Sequence, residues 1–405
     1  LGLEKHGAAL QRQHRMVDAV RDIDADVLAG WCQGNVAVDL PGSGKNDDAE
    51  TTTQADDALI LGRIEMTVRH HVGIGLDGVE QAPRVAIGML ATALLVTVGR
   101  GDVFAGVALF VLAHVGSTIG ASIYNSFLPL VATGRGMSRL SGLAWGLSYF
   151  GGIACFLLCL PFTRGGLDDA NAANFANAFV VTAVFLLAIG LPAVAALPSA
   201  APAQGASGPG PYRRIWGTIR QWRREREVPK FLLAYYLVND AVVTVIFFTA
   251  VMMKTTFGLE VQEVLVLSLA FQAIAIPSTV FFGWLGGRWT QRGAIYVTLA
   301  LWMVTLGLMA LAQGRPGALM IVVSLGLVLG STQSLFRSLF ALMVPLDRAS
   351  EYFGFHALAG RASSALGPFL FGAISVATGS QRLAMASLAV FFVAGGVVLA
   401  TVRIP

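Results

Sequence analysis

Five polar side chains stand inside apolar stretches where they could act on a solute: His114, Asp240, Gln272, Gln333 and Arg361. An ionised group at the centre of a bilayer costs about 2.5–3.5 kcal/mol on insertion scales, so one that is kept usually faces a cavity or a partner. Asp240 and Arg361 have opposite charges, and as an ion pair each would lower the burial cost of the other. Such a pair suits a zwitterionic or anionic solute, or Asp240 carries a coupling proton; a static pair that fixes helix packing is the competing reading. His114 could titrate in a proton relay, although a lone His on an apolar helix is more often a packing residue. Asn239 points about 100° away from Asp240 on a helix, so only one of the two can face a cavity centre squarely.

A second group lies closer to the ends of its elements. Arg337 falls about 10 Å from the end of its apolar run, near enough to snorkel or to pair with Glu351 across the following turn in a gate-like or structural role. Asn125 and Tyr124 sit at a run's end, where they cap or bond neighbouring helices. Cys155 and Cys159 are four residues apart on one helix face without His or carboxylate companions, which favours packing over metal binding. Gly73, Gly75 and Gly78 satisfy GxGxxG, yet no strand precedes them and Pro83 is expected to close off a following helix. Gly44 and Lys45 resemble part of a phosphate loop, but Asp39 and Asn46 occupy its first-Gly and Ser/Thr places. With no nucleophile, paired carboxylates or metal cluster, an enzyme is not expected, nor is a cofactor.

The elements that must position these groups are set by composition. Of 405 residues, 55% are hydrophobic and 13% charged, against about 25% charged in ordinary soluble domains. Apolar runs fall at 85–99, 102–131, 137–162, 176–197, 231–256, 261–286, 294–313, 317–344, 352–378 and 382–402. A bilayer core takes about 20 residues to cross, so these are ten expected spans, the first of them short. Counting about 1.5 Å per residue puts Asp240, Gln272, Gln333 and Arg361 at one level, about 15 Å deep. The expected fold is an all-α polytopic bundle.

Orientation follows from basic residues, which resist translocation. One side collects 14 Lys and Arg, among them Arg84, Arg135, Arg139, Arg288, Arg292, Arg348, Arg403 and a cluster from Arg213 to Lys230; the other collects Arg100, Arg164, Lys254, Arg315 and Arg382. Both ends of the membrane domain are therefore expected in the cytoplasm. Residues 84–197 form a first half of four spans, 198–230 a basic linker, and 231–405 a second half of six. Within the linker, Trp216 and Trp222 interleave with Arg at helical spacing, as in an amphipathic helix on a leaflet surface; lipid, not nucleic acid, is the expected partner of the basic surplus. The pairs Gly116 with Gly120, Gly283 with Gly287 and Gly326 with Gly330 should let helix backbones approach. Pro277 and the Gly367–Pro368 pair are expected to interrupt their helices. Residues 1–83, polar and acidic around Asp47, Asp48, Glu50, Asp56 and Asp57, are expected to be largely disordered.

Several ordered motifs carry a resemblance. FLLAYYLVNDAVVTVI (231–246), GLVLGSTQSLFRSLFALMVP (326–345), EYFGFHALAGRASSALGPFLFG (351–372) and TGSQRLA (378–384), with YNSFLPLVA (124–132) and SGLAWGLSYFGG (141–152) in the first half, resemble the vacuole-effluxer-like family of the major facilitator superfamily. The resemblance runs from about Val85 to Arg403. It implies two six-helix halves around a central cavity, alternating access by rocking, and a match of the ten spans to helices three to twelve of the usual twelve. GWLGGRWTQRG (283–293) resembles the loop after helix eight, which implies gating roles for Arg288 and Arg292, with Gly287 where the superfamily usually has an acid. Fungal members are associated with amino-acid efflux from the vacuole. Residues 1–83 do not resemble the family's first two helices or their Asp-Trp-Ala-Asn signature.

These readings converge on a secondary-active carrier of a small polar solute, amino acids among the classes implied, in a bacterial inner membrane. Substrate contacts would come from Asp240, Gln272, Gln333, Arg361 and His114, gating from Arg337, Glu351, Arg288 and Arg292, and a proton could couple the flux. The alternative is a membrane protein without transport activity, a fragment or a partner subunit.

Overall fold

The structure is a computed structural model that describes residues 77–99, 101–163, 171–196, 211–222 and 226–404. Expectations about residues 1–76, 197–210 and 223–225 lie outside the described residues. Among those described, every regular element is helical. The first half holds α1 (Asp77–Leu94, with a 3₁₀ turn Leu95–Thr97), α2 (Val103–Ser126), the short α3 (Leu128–Val131), α4 (Arg135–Thr163) and α5 (Ala172–Ala196). After the linker helix α6 (Pro211–Gln221), the second half holds α7 (Glu227–Thr255), α8 (Val261–Arg288), α9 (Gln291–Leu311) and α10 (Gly314–Met343). It continues with α11 (Ala349–Ala362), α12 (Leu366–Thr378), α13 (Gln381–Ser387) and α14 (Ala389–Ala400).

Nine of the ten apolar runs become helical stretches long enough to cross a membrane, and the first gives a shorter apolar helix over Ala86–Thr97. Pro83 does not block α1, which runs through it from Asp77. Pro277 likewise lies inside an unbroken α8; in a bundle, neighbouring side chains and local adjustment re-satisfy the carbonyl that a proline frees. The break in the run 352–378 falls just upstream of Gly367–Pro368, at residues 363–365. Pro368 is then in the first turn of α12, where its missing N–H would have had no intrahelical acceptor. A further break at Leu388 splits the last run into α13 and α14.

The core is concentrated in the second half. In α10, 67% of the apolar window is buried and in α7 61%, against 6% in α2, α4 and α5, so α7 and α10 are the interior helices. Trp302 of α9 is fully buried, stacks on Phe392 at 5.0 Å and donates its indole N–H to Thr332 of α10 at 2.9 Å. Phe231, Phe336 and Phe340 join α7 to α10. In the first half, α1 packs on α2 and α5, and α4 on α5. A Cβ on Gly88 would stand 3.0 Å from the Cα of Gly116, the close approach expected of that small residue. Cys155 and Cys159 both lie against Thr182 of α5, as packing residues.

Between the halves, α4 packs on α8 and α10, and α2 on α11. The α4–α8 contact is made by backbone: a Cβ on Gly142 would lie 2.5 Å from the Thr279 carbonyl oxygen and 2.9 Å from the Cα of Gly283.

Candidate functional site

Two polar clusters organise the bundle. The first surrounds the break between α11 and α12. Opening a helix in mid-span orphans the amides of its new first turn, and Asp240, near the middle of α7 and fully buried, supplies the acceptor. Its Oδ2 accepts from the Gly367 amide at 3.0 Å, and the Leu366 amide also faces it. Gly367 makes this possible, since a Cβ there would meet Thr244 Oγ1 and come within 3.0 Å of Asp240 Oδ1. The upstream side of the break is tied by Asn239, whose Nδ2 donates to Gly360 O at 3.0 Å and to Ser363 Oγ at 2.6 Å. Gln333 of α10 in turn donates to Asn239 Oδ1 at 2.6 Å.

The expected Asp240–Arg361 ion pair is not formed. Equal depth brought the two together in the sequence reading, but the orphaned amides of α12 take the carboxylate. Arg361 is exposed on α11 and makes no hydrogen bond or ion pair with a described residue. It lines instead a cavity of about 550 Å³ between the halves with Ser364 of the break and His114, Val115, Thr118 and Ile119 of α2. His114 stacks on Phe110 at 6.2 Å. Thus two of the five expected solute contacts, Arg361 and His114, share one cavity. Gln333 and Asp240 hold the break behind it, and Gln272 turns to α4, bonding its own Ser268 carbonyl and touching the site of a Cβ on Gly152.

The second cluster lies at the end of the bundle that carries Arg135, Arg288 and Arg348, called here the basic end. Arg337 of α10 reaches across to the first half. Its Nε donates to Ser141 Oγ at 3.0 Å, Nη2 to the Ser141 carbonyl at 3.0 Å and Nη1 to Asn125 Oδ1 at 2.9 Å, while the guanidinium lies 5.9 Å from the Tyr124 ring centroid. The expected Arg337–Glu351 pair is therefore replaced by an inter-half bond. Glu351 pairs with Arg348 at 3.2 Å and accepts from Thr218 of the linker helix, and Gln221 of that helix accepts from Arg348 at 2.9 Å.

Neither of the remaining gate residues bridges the halves. Arg288 stays on its own helix over Trp284, and Arg292 donates to the carbonyls of Leu399, Ala400 and Val402, capping α14. At Gly287 a Cβ would lie 2.9 Å from the Arg135 carbonyl oxygen, so an acidic side chain has no room in this packing. Asn239, Ser363, Ser141 and Thr244 were absent from the expected site. The Ser363–Ser364 pair before Gly367–Pro368 was the available signal, since small hydroxyl residues just ahead of an early proline mark a helix start.

The α4–α8 contact gives a direct test of closure. Gly283→Ala would place its Cβ 2.8 Å from both Gly142 Cα and the Ser138 carbonyl oxygen, and overpacking of this kind costs about 1–3 kcal/mol. The expected result is a lower Tm in detergent and faster thiol labelling at the basic end. An unchanged Tm and labelling rate would refute the contact.

The vacuole effluxer Atg22-like family profile matches residues 84–405. The chain is 24% identical over 328 residues to the Bacillus subtilis protein described as the uncharacterized MFS-type transporter YxiO, covering 78% of this chain and 76% of that one. It is 26% identical over 194 residues to autophagy-related protein 22 of Botryotinia fuckeliana, covering 44% of this chain and only 32% of the relative. Among solved structures, the major facilitator transporter FucP in the outward conformation aligns with a TM-score of 0.62 at 14% identity, over 90% of this chain and 92% of that one. The proton:xylose symporter XylE aligns with a TM-score of 0.61 at 13% identity, over 85% and 84%. At these identities the structures speak to fold alone.

Proposed function

The chain belongs to the vacuole effluxer Atg22-like family of major facilitator transporters, and from that premise we propose that it carries a small polar solute by alternating access, with the basic end as its cytoplasmic gate. The observation that carries the reading is the asymmetry between the two clusters. At the basic end the halves are joined by Arg337, Ser141 and Asn125 and by glycine backbones in contact. Deeper in the bundle a cavity of about 550 Å³ separates α2 from α11 and contains an arginine, Arg361, that makes no hydrogen bond or ion pair with a described residue. A bundle closed at one end with a chamber behind the closure is one of the two states that rocking halves exchange.

The excess of Arg and Lys at the closed end supports a cytoplasmic position for it in this reading, with both ends of the membrane domain on that side of a bacterial inner membrane. Arg361 and His114 contact the solute in this reading. Gln333, Asn239 and Asp240 hold the broken helix that presents Arg361, and Arg337 sets the balance between closed and open. The linker helix follows the second half through Thr218 and Gln221, with Trp216 and Ile215 exposed toward the membrane surface.

The test is solute counterflow into proteoliposomes containing the purified chain, preloaded in turn with amino acids, sugars and carboxylates, with and without an imposed pH gradient. Saturable exchange above empty liposomes for one class is expected. No saturable exchange for any class, by protein that is folded in detergent, would overturn the carrier reading. Net accumulation that is indifferent to an imposed pH gradient would remove a coupling proton.

A further inference from the structure

Among the described residues, the charges lining the cavity between α2 and α11 are unbalanced. Its described lining contains one cation, Arg361, together with His114, the hydroxyls of Thr118 and Ser364, and the apolar Val115 and Ile119. Among the described residues, Asp240 is the single carboxylate in the middle of a membrane-length helix. Glu227, Glu260, Glu263 and Glu351 lie at helix ends, and Asp102 precedes α2. Asp240 is fully buried and committed to the amides that open α12. It contributes nothing to the cavity lining.

A guanidinium without a partner recognises a carboxylate through a planar two-pronged bond. A solute ammonium entering the same space would meet a cation rather than an acid, and like charges set against each other are unfavourable. The remaining lining suits a short organic body: Val115 and Ile119 offer apolar contact, Ser364 a hydroxyl, and His114 a ring held by its stack on Phe110. We propose that the solute is a small organic carboxylate of net negative charge, gripped by Arg361, rather than a zwitterionic amino acid or a neutral sugar. This rests on the carrier reading above and narrows its substrate class.

The probes are radiolabelled L-lactate and succinate as carboxylates, L-leucine as zwitterion and L-fucose as neutral sugar, applied to the full chain. Two signals are read: uptake into proteoliposomes, and the shift in Tm of the detergent-purified protein at saturating solute. At least one of the two carboxylates is expected to give saturable uptake and to raise Tm, with leucine and fucose giving neither. Arg361→Gln should lower that uptake at least about tenfold and abolish the Tm rise, and Arg361→Lys should restore part of both. Because Arg361 bonds no described residue, the ligand-free Tm of both variants should equal that of the parent, which separates lost binding from lost fold.

Uptake of leucine or fucose without carboxylate uptake overturns the anion assignment and leaves the carrier reading standing. Carboxylate uptake that survives Arg361→Gln also overturns it. If none of the four solutes moves or shifts Tm, the anion assignment falls, and the broader counterflow panel decides the carrier reading separately.

Discussion

Arg337→Met is expected to unseal the basic end of the bundle and to slow transport by at least about tenfold. Three hydrogen bonds from one guanidinium cross from α10 to Ser141 and Asn125, and Arg337 is buried. Removing the donor leaves the Asn125 and Ser141 acceptors with lost partners, at about 1–3 kcal/mol for a buried group left unsatisfied. The open state keeps no such debt, because there the same groups meet water. A loss of about 3 kcal/mol from one state alone changes the ratio of two populations by about a hundredfold. The readout is the labelling rate of a single cysteine at Ala341, buried in the same stretch of α10, with the three native cysteines replaced. Labelling should accelerate about tenfold or more, while Arg337→Lys, which keeps the charge without the fork, should lie between. Unchanged labelling and flux in Arg337→Met would show that the glycine contacts alone close this end.

The parts of this structure legible from sequence are those that a single helix decides by itself. Hydrocarbon length gave the spans, and the distribution of Arg gave the basic end. What a helix meets across a gap depends on its rotation and on where its neighbours break, and neither follows from depth. Asp240 and Arg361 were expected at one level, yet the break at 363–365 exposes amides beside Asp240 and leaves Arg361 on the cavity wall. Arg337 and Glu351 are near in sequence, but Ser141 lies across the bundle and offers both its hydroxyl oxygen and its carbonyl as acceptors for the fork. Arg292 was carried into the gate by a loop resemblance, whereas it donates to the carbonyls of Leu399, Ala400 and Val402 at the end of α14. Asn239 was set aside on the argument that it and Asp240 diverge by 100°. Both reach the same broken helix because its two sides approach α7 from different directions.

Asp240→Ala should be the most damaging single change in the second half. It removes a buried acceptor from the Gly367 and Leu366 amides, and no water is available at that depth to replace it. An orphaned buried amide costs about 1–3 kcal/mol, and the lost capping of α12 acts in the same direction. With native stability of about 5–15 kcal/mol, the expected result is poor insertion or a large drop in Tm. Asp240→Asn separates the structural role from a proton-carrying one. Its side-chain oxygen can still accept from Gly367, so fold and Tm should be nearly retained. If Asp240 only holds α12, transport by Asp240→Asn stays within about threefold of the parent, and its response to a pH gradient is unchanged. If Asp240 carries the coupling proton, the folded Asn variant still exchanges solute but no longer concentrates it against a gradient, because an amide cannot take up and release a proton in this range. The commitment of the carboxylate to α12 favours the first outcome. Gradient-driven accumulation lost in a variant with parental Tm would overturn it and return Asp240 to the transport cycle.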